Sequence, residues 1–267
     1  MFPAWSPHWD VWAVVAILAF SYFYAETRLR AVVAPTAEKA TRSQWYFWYV
    51  GVAVLWLVSD WPIHELSEET LFTAHMLEHL LIGYVIPPLL LTGMPRWMAD
   101  VTLGNRFVAA VLRPLARPVV AFFVFNVTIV FVHWPEAVGW QNSNELVHFS
   151  LHAFLFATGV LLWLPIFSPT PAIPRLRRPM QMLYLFLNTI IPTVPASFIT
   201  FSREPLYTSY GDAAAAWGLT PLADQTIAGI TMKLGGGFYL LGIIAYIWVR
   251  WTQEERKWDA IERDLVS

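Results

Sequence analysis

Seven stretches of the chain are apolar over the length of a bilayer core: roughly Trp9–Tyr24, Trp45–Val58, Leu71–Leu91, Val119–Trp134, Leu146–Phe167, Met180–Phe201 and Ile227–Trp251. A helical span needs about 20 mostly apolar residues. The first, second and fourth runs reach that by extending a few residues at either end. In hydrocarbon only helices and closed barrels satisfy their own backbones. A barrel would show strands of about 10 residues with alternating polarity, and these runs do not alternate. The expectation is an all-α polytopic membrane protein, one integral membrane domain over residues 1–267 formed as a seven-transmembrane helix bundle. Only 13% of its residues are charged, against about 25% in soluble domains, too few to cover a soluble surface. The formal net charge of −2 and the lack of a basic tail exclude nucleic-acid binding by bulk charge. The chain has no cysteine, which removes disulfides, thiolate metal sites and Cys nucleophiles together.

The basic residues orient the bundle. Arg28, Arg30, Lys39 and Arg42 follow the first run, and Arg96, Arg106, Arg113 and Arg117 follow the third. Arg175, Arg177 and Arg178 follow the fifth, and Arg250, Arg256, Lys257 and Arg263 lie in the tail. These are fifteen of the seventeen Lys and Arg, all on one side. Arg203 alone lies on the other, and Lys233 falls inside the seventh run. By the positive-inside rule the N-terminus is outside and the C-terminus cytoplasmic. The first run lacks a basic leader and is followed at once by Glu26, Arg28 and Arg30, so it reads as a retained span rather than a signal peptide.

That orientation puts all seven histidines, His8, His64, His75, His79, His133, His148 and His152, outside or in the outer half of the membrane. His75 and His79 form HxxxH within a span, and so do His148 and His152. Residues four apart share a helix face about 6 Å apart, so each pair can grip one ion, and two facing pairs can surround one. Imidazole suits Zn, Cu, Fe and Ni, and such groups at membrane depth are costly enough to read as functional. The structural alternative is histidines that only hold the bundle together. Glu78 lies inside the first HxxxH; Asp224 and Met232 lie near the start of the last span. Lys233, a cation at a depth similar to that of Glu78, needs a partner, and a Glu78–Lys233 ion pair is expected. The acidic outer stretch Glu65, Glu68 and Glu69 reads as a solvated loop that could attract cations to the outer mouth, and Gly235, Gly236 and Gly237 as a point of close helix approach.

Several of these residues carry a family resemblance. His75-Met-Leu-Glu-His79-Leu-Leu, then Pro87-Pro88-Leu-Leu-Leu and Gly93-Met-Pro95, resembles the third-span signature of the caa3-type CtaG family of cytochrome c oxidase assembly factors. Leu146-Val-His148-Phe-Ser-Leu-His152 through Trp163-Leu-Pro165 is similar to its fifth-span motif. Asp224-Gln225, Gly229, Met232 and Gly236 resemble its last. The chain departs from the family pattern at Glu78, where a Gln or another polar residue is usual, and at Leu151, where Glu is common. Lys233 replaces an aromatic residue and Gly235 a proline.

The resemblance implies a seven-span protein of the bacterial plasma membrane that serves maturation of the haem–copper oxidase at its copper centres. Its copper ligands would be His75, His79, His148 and His152, with Asp224 and Met232 as further ligands. Its partners would be oxidase subunits and an outer-side copper chaperone, and delivery by ligand exchange would make it no enzyme. Two rivals fit the histidines: an intramembrane zinc-dependent hydrolase, and a membrane protein binding haem through two histidines.

Overall fold

The computed structural model describes residues 3–266. Met1, Phe2, Ser267 and the side chains of Asp259, Ala260 and residues 263–266, Arg263 among them, lie outside the described residues. All described secondary structure is helical. Five helices are long and apolar enough to cross a membrane: α1 (Trp9–Val33), α4 (Phe72–Gly93), α9 (Glu145–Phe167), α10 (Arg178–Phe201) and α11 (Pro221–Trp258). Two bent pairs raise the number to seven if each is one span. The first is α2 (Arg42–Val58) with an elbow, α3 (Ile63–Thr70), at 50°. The second is α6 (Arg106–Leu115) with α7 (Pro118–Val132), at 75°. Two short helices, α5 (Arg96–Val101) and α8 (Pro135–Ser143), and two 3-10 turns, Thr208–Tyr210 and Ala213–Trp217, complete the described set.

Side-chain caps set the starts of several of these helices, Asn105 accepting from the Phe107 amide on α6 among them. Thr41 and Gln44 form a capping box on α2. Asn144 accepts from the Val147 amide on α9, and Thr220 accepts from the Ala223 amide on α11. Such caps satisfy amide donors that the helix itself leaves free. Pro87 and Pro88 remove two amide donors inside α4. The backbone accommodates them by widening to a π turn over Leu81–Val85, immediately before the prolines. A second π turn, Thr231–Gly235, interrupts α11.

Polarity is arranged as in a membrane protein. Phe20, Trp56, Phe123, Phe198 and Phe201 are exposed, while Glu78, Asn126, Gln181 and Asn188 are buried. Asn126 of α7 donates to Asn188 of α10 across 2.8 Å, the kind of interhelical bond that apolar surroundings favour.

The helices meet at small residues. A Cβ at Gly93 would lie 2.5 Å from the Trp48 amide nitrogen, and one at Gly159 would lie 2.6 Å from the Gly83 carbonyl oxygen. Glycine therefore lets α2 and α9 close on α4 backbone to backbone. Below the histidines, Ile86, Phe125, Leu155, Leu162 and Trp163 are fully buried and fill the interior. The helices differ from the apolar runs of the sequence at their ends. The first helix runs on to Val33 instead of stopping at Tyr24, because Glu26 is buried there, accepting from Trp97 Nε1 at 2.9 Å and the Ala40 amide at 2.7 Å.

Candidate metal centre

The histidines gather at the end of the bundle opposite the arginine-rich loops. On α4, residues 75 and 79 project from one face; on α9, residues 148 and 152 do the same. The ring centroids of His75 and His79 are 4.0 Å apart, and those of His148 and His152 4.1 Å. The two pairs meet where His79 Nε2 approaches His152 Nε2 to 2.9 Å. His133, at the end of α7, joins them, its Nε2 lying 3.4 Å from His79 Nδ1. His64, on the elbow, lies over His148 and His152 at 5.1 and 6.2 Å between centroids. His8 closes the series 4.8 Å from His64. All seven histidines thus form one contiguous cluster.

The ring tautomers follow from fixed acceptors. His133 Nδ1–H donates to the Ile129 carbonyl at 2.7 Å, which leaves Nε2 bare toward His79. His79 Nδ1–H donates to it, and His79 Nε2 is then a free lone pair aimed at His152. His64 Nδ1–H donates to Glu78 Oε1 at 3.0 Å, and Ser67 Oγ–H donates to Glu78 Oε2. His64 Nε2 lies 3.5 Å from Glu68 Oε1.

His148 Nδ1 also approaches Glu68 Oε1, to 2.8 Å, but outside hydrogen-bond geometry, and neither of its ring nitrogens has a hydrogen-bond partner. His64, Glu68 and His148 present ligand atoms within 4.8 Å of one another. His75 is fully buried, and both its nitrogens lack a hydrogen-bond partner. A buried polar atom without a partner costs about 1–3 kcal/mol. A metal ion bonded to the bare nitrogen would remove that cost, so the donor set fits such an ion.

Two tyrosines of the loop between α10 and α11 cover the cluster. Tyr207 Oη–H donates to the His133 carbonyl and Tyr210 Oη–H to the Ser67 carbonyl, each at 2.7 Å. Burial pushes both phenols above their ordinary pKa, so both remain donors at neutral pH. Phe72 stacks on Tyr207 at 4.0 Å.

The expected site residues separate into groups. His75, His79, His148 and His152 come together. Met232 is buried and lines a cavity of about 20 Å³ with Met76, His79 and His133. Asp224 has another post: its carboxylate accepts from the Phe72 and Thr73 amides at 2.6 and 3.1 Å and from the Thr73 hydroxyl at 2.6 Å, capping α4.

The expected Glu78–Lys233 pair does not form. Glu78 is fully buried against His64 and Ser67, whereas Lys233 is exposed and has no carboxylate within ion-pair distance among the described residues. Depth is similar for the two residues, but direction is not. Gly235 and Gly236 of α11 face Leu80, so α11 lies on the Met76–Leu80 face of α4. Glu78 is two residues from each, about 200° around the helix at 100° per residue.

The elbow corrects a second expectation. Glu65 is 5% exposed and Glu68 only partly exposed, so these two pack into the site, while Glu69 is exposed as expected. His64, Glu68 and His133 were thus missed as site residues. The signal for the first two was present, since His64 and Glu68 share the i, i+4 spacing of the HxxxH pairs.

Fold and site together define a polytopic helical protein that concentrates buried imidazole, with two carboxylates, at one end of its bundle. The chain belongs to the cytochrome c oxidase caa3 assembly factor family, whose model matches residues 20–254. No curated protein and no solved structure matches it. Every residue of the cluster except His8 lies inside the matched region.

Proposed function

We propose that the protein is a copper-handling assembly factor for a haem–copper oxidase, working at the outer face of the bacterial plasma membrane. In this reading both bent pairs are spans, so the bundle has seven, with the N-terminus outside. The family supports oxidase assembly, and the one observation that carries metal binding is His75, buried with both ring nitrogens unpartnered inside a cluster of seven imidazoles. Copper is the cargo, held by His75, His79 and His152 with His133 behind them and the Met232 thioether beside them. It leaves by ligand exchange to an oxidase subunit, having come from an outer-side copper chaperone.

Haem fits the same residues poorly. Two axial imidazoles need about 4 Å between their nitrogens, twice a metal–nitrogen bond, and His79 and His152 stand at 2.9 Å. A zinc hydrolase would need zinc in the protein as isolated.

The test is the metal content of the purified protein, wild type beside His79→Ala, with oxidase copper measured in the same membranes. Copper in the wild type, its loss in the variant and a parallel loss from the oxidase support the reading. Zinc alone, or an unaffected oxidase, rejects it.

A further inference from the structure

The cluster is graded along its length. At its outer end are His64, Glu68 and His148; further in are His75, His79, His152 and His133, which a carboxylate approaches only from behind, Glu78 Oε1 lying 3.8 Å from His152 Nδ1. We propose that these are two metal stations, and that the outer triad receives a divalent ion from the aqueous side and passes it inward across the His148–His152 pair. The proposal rests on the copper-handling reading and adds a site and a route to it.

Three observations support the outer station. Its ligand atoms are close enough to converge, all within 4.8 Å. His64 is oriented from behind by a carboxylate: Nδ1–H donates to Glu78, and Nε2 faces Glu68. This carboxylate–histidine arrangement fixes tautomer and ring angle in metal sites. His148 has no hydrogen-bond partner at either nitrogen although it is buried. The Glu68 side chain is 29% exposed, so one side of the triad is open to water. Two imidazoles, one carboxylate and an open position suit a divalent first-row ion, and the open position permits exchange.

The route follows from HxxxH spacing. His148 and His152 lie one turn apart on one face of α9, with rings in contact at 4.1 Å. In the transfer, His148 keeps the ion while its bonds to Glu68 Oε1 and His64 Nε2 break. Bonds to His152 Nε2 and His79 Nε2 then form, the bond to His148 breaks as His75 completes the inner set, and the ion keeps its charge throughout. In the loaded inner station His152 carries its ring proton on Nδ1, which faces Glu78 Oε1 at 3.8 Å. Glu78 thus backs both stations.

The test is equilibrium dialysis of the purified full chain against Cu(II), with electron paramagnetic resonance of the loaded protein. The wild type should bind two ions whose spectra are broadened by their proximity, about 6 Å at one helical turn. Glu68→Gln should weaken one ion at least tenfold, abolish the broadening and slow filling of the inner station, while the retained inner ion shows that the variant is folded. His79→Gln should do the converse. Two ions of unchanged affinity in Glu68→Gln would overturn the outer station. So would a single ion in the wild type, but that result would leave the copper-handling reading standing. No ion in the wild type would end both.

Discussion

His64 reaches Glu78 across 3.0 Å, from an elbow on one helix to the interior face of the next. Through that contact a residue of the connecting segment becomes part of the membrane-embedded cluster. It also explains how Glu78 is tolerated at full burial: its oxygens accept from an imidazole and a hydroxyl in place of water.

Glu78→Gln is the direct test of that contact. The amide keeps the volume and can still accept from His64, but the charge is lost. Affinity at the outer station should fall about 10- to 100-fold, as when a supporting carboxylate is removed from other metal sites. The protein should remain in the membrane. Cu(II) titration of the purified variant measures the change, and unchanged affinity would remove Glu78 from the site.

Asp224→Asn separates capping from ligation. If the carboxylate serves α4, its loss should cost about 1 kcal/mol of stability and leave bound copper unchanged. Thermal unfolding in detergent and metal analysis of one preparation give both numbers. Loss of copper without loss of stability would make Asp224 a ligand.

Lys233→Met should leave abundance and copper content close to wild type, because Lys233 is exposed and Glu78 is engaged elsewhere. Quantitative immunoblotting of membranes together with metal analysis checks it. A severe loss rescued by Glu78→Gln would restore the ion pair that the structure lacks.

The glycine contacts make a graded prediction. Gly93→Ala places a Cβ 2.5 Å from the Trp48 amide and should destabilise by about 1–3 kcal/mol, as overpacking does. Gly237→Ala meets nothing within 4 Å and should be neutral or stabilise by up to about 1 kcal/mol. Unfolding midpoints of the two variants should fall on opposite sides of wild type.

Reporter fusions after Arg178 and Asp212 test the topology. The first should read cytoplasmic and the second external. The reverse result would place every histidine at the cytoplasmic face and sink copper delivery to the outer side.

Much of this architecture was legible in the sequence. Apolar runs located the helices because hydrocarbon demands them, and two HxxxH motifs located the histidine faces because helical spacing alone fixes which side chains share a face. What escaped was set by direction and by folding-back. The depths of Glu78 and Lys233 could be counted along each helix, but which way each points depends on the packing of α11 against α4. The acidic stretch looked solvated because connecting segments usually are. Its helical turn packs against α4 and α9, and i, i+4 spacing was the available clue. Asp224 looked like a ligand by its position, and only the tertiary structure reveals that it caps another helix.

The packing beneath the histidines has a consequence for traffic. Ile86, Phe125, Leu155, Leu162 and Trp163 are sealed from solvent, and Gly83 and Gly159 bring two backbones together at the same level. No polar side chain among these offers an ion its next foothold. On the copper-handling reading, an ion held in the cluster exchanges most readily through the water-exposed Glu68 side, since this layer gives it no ligand.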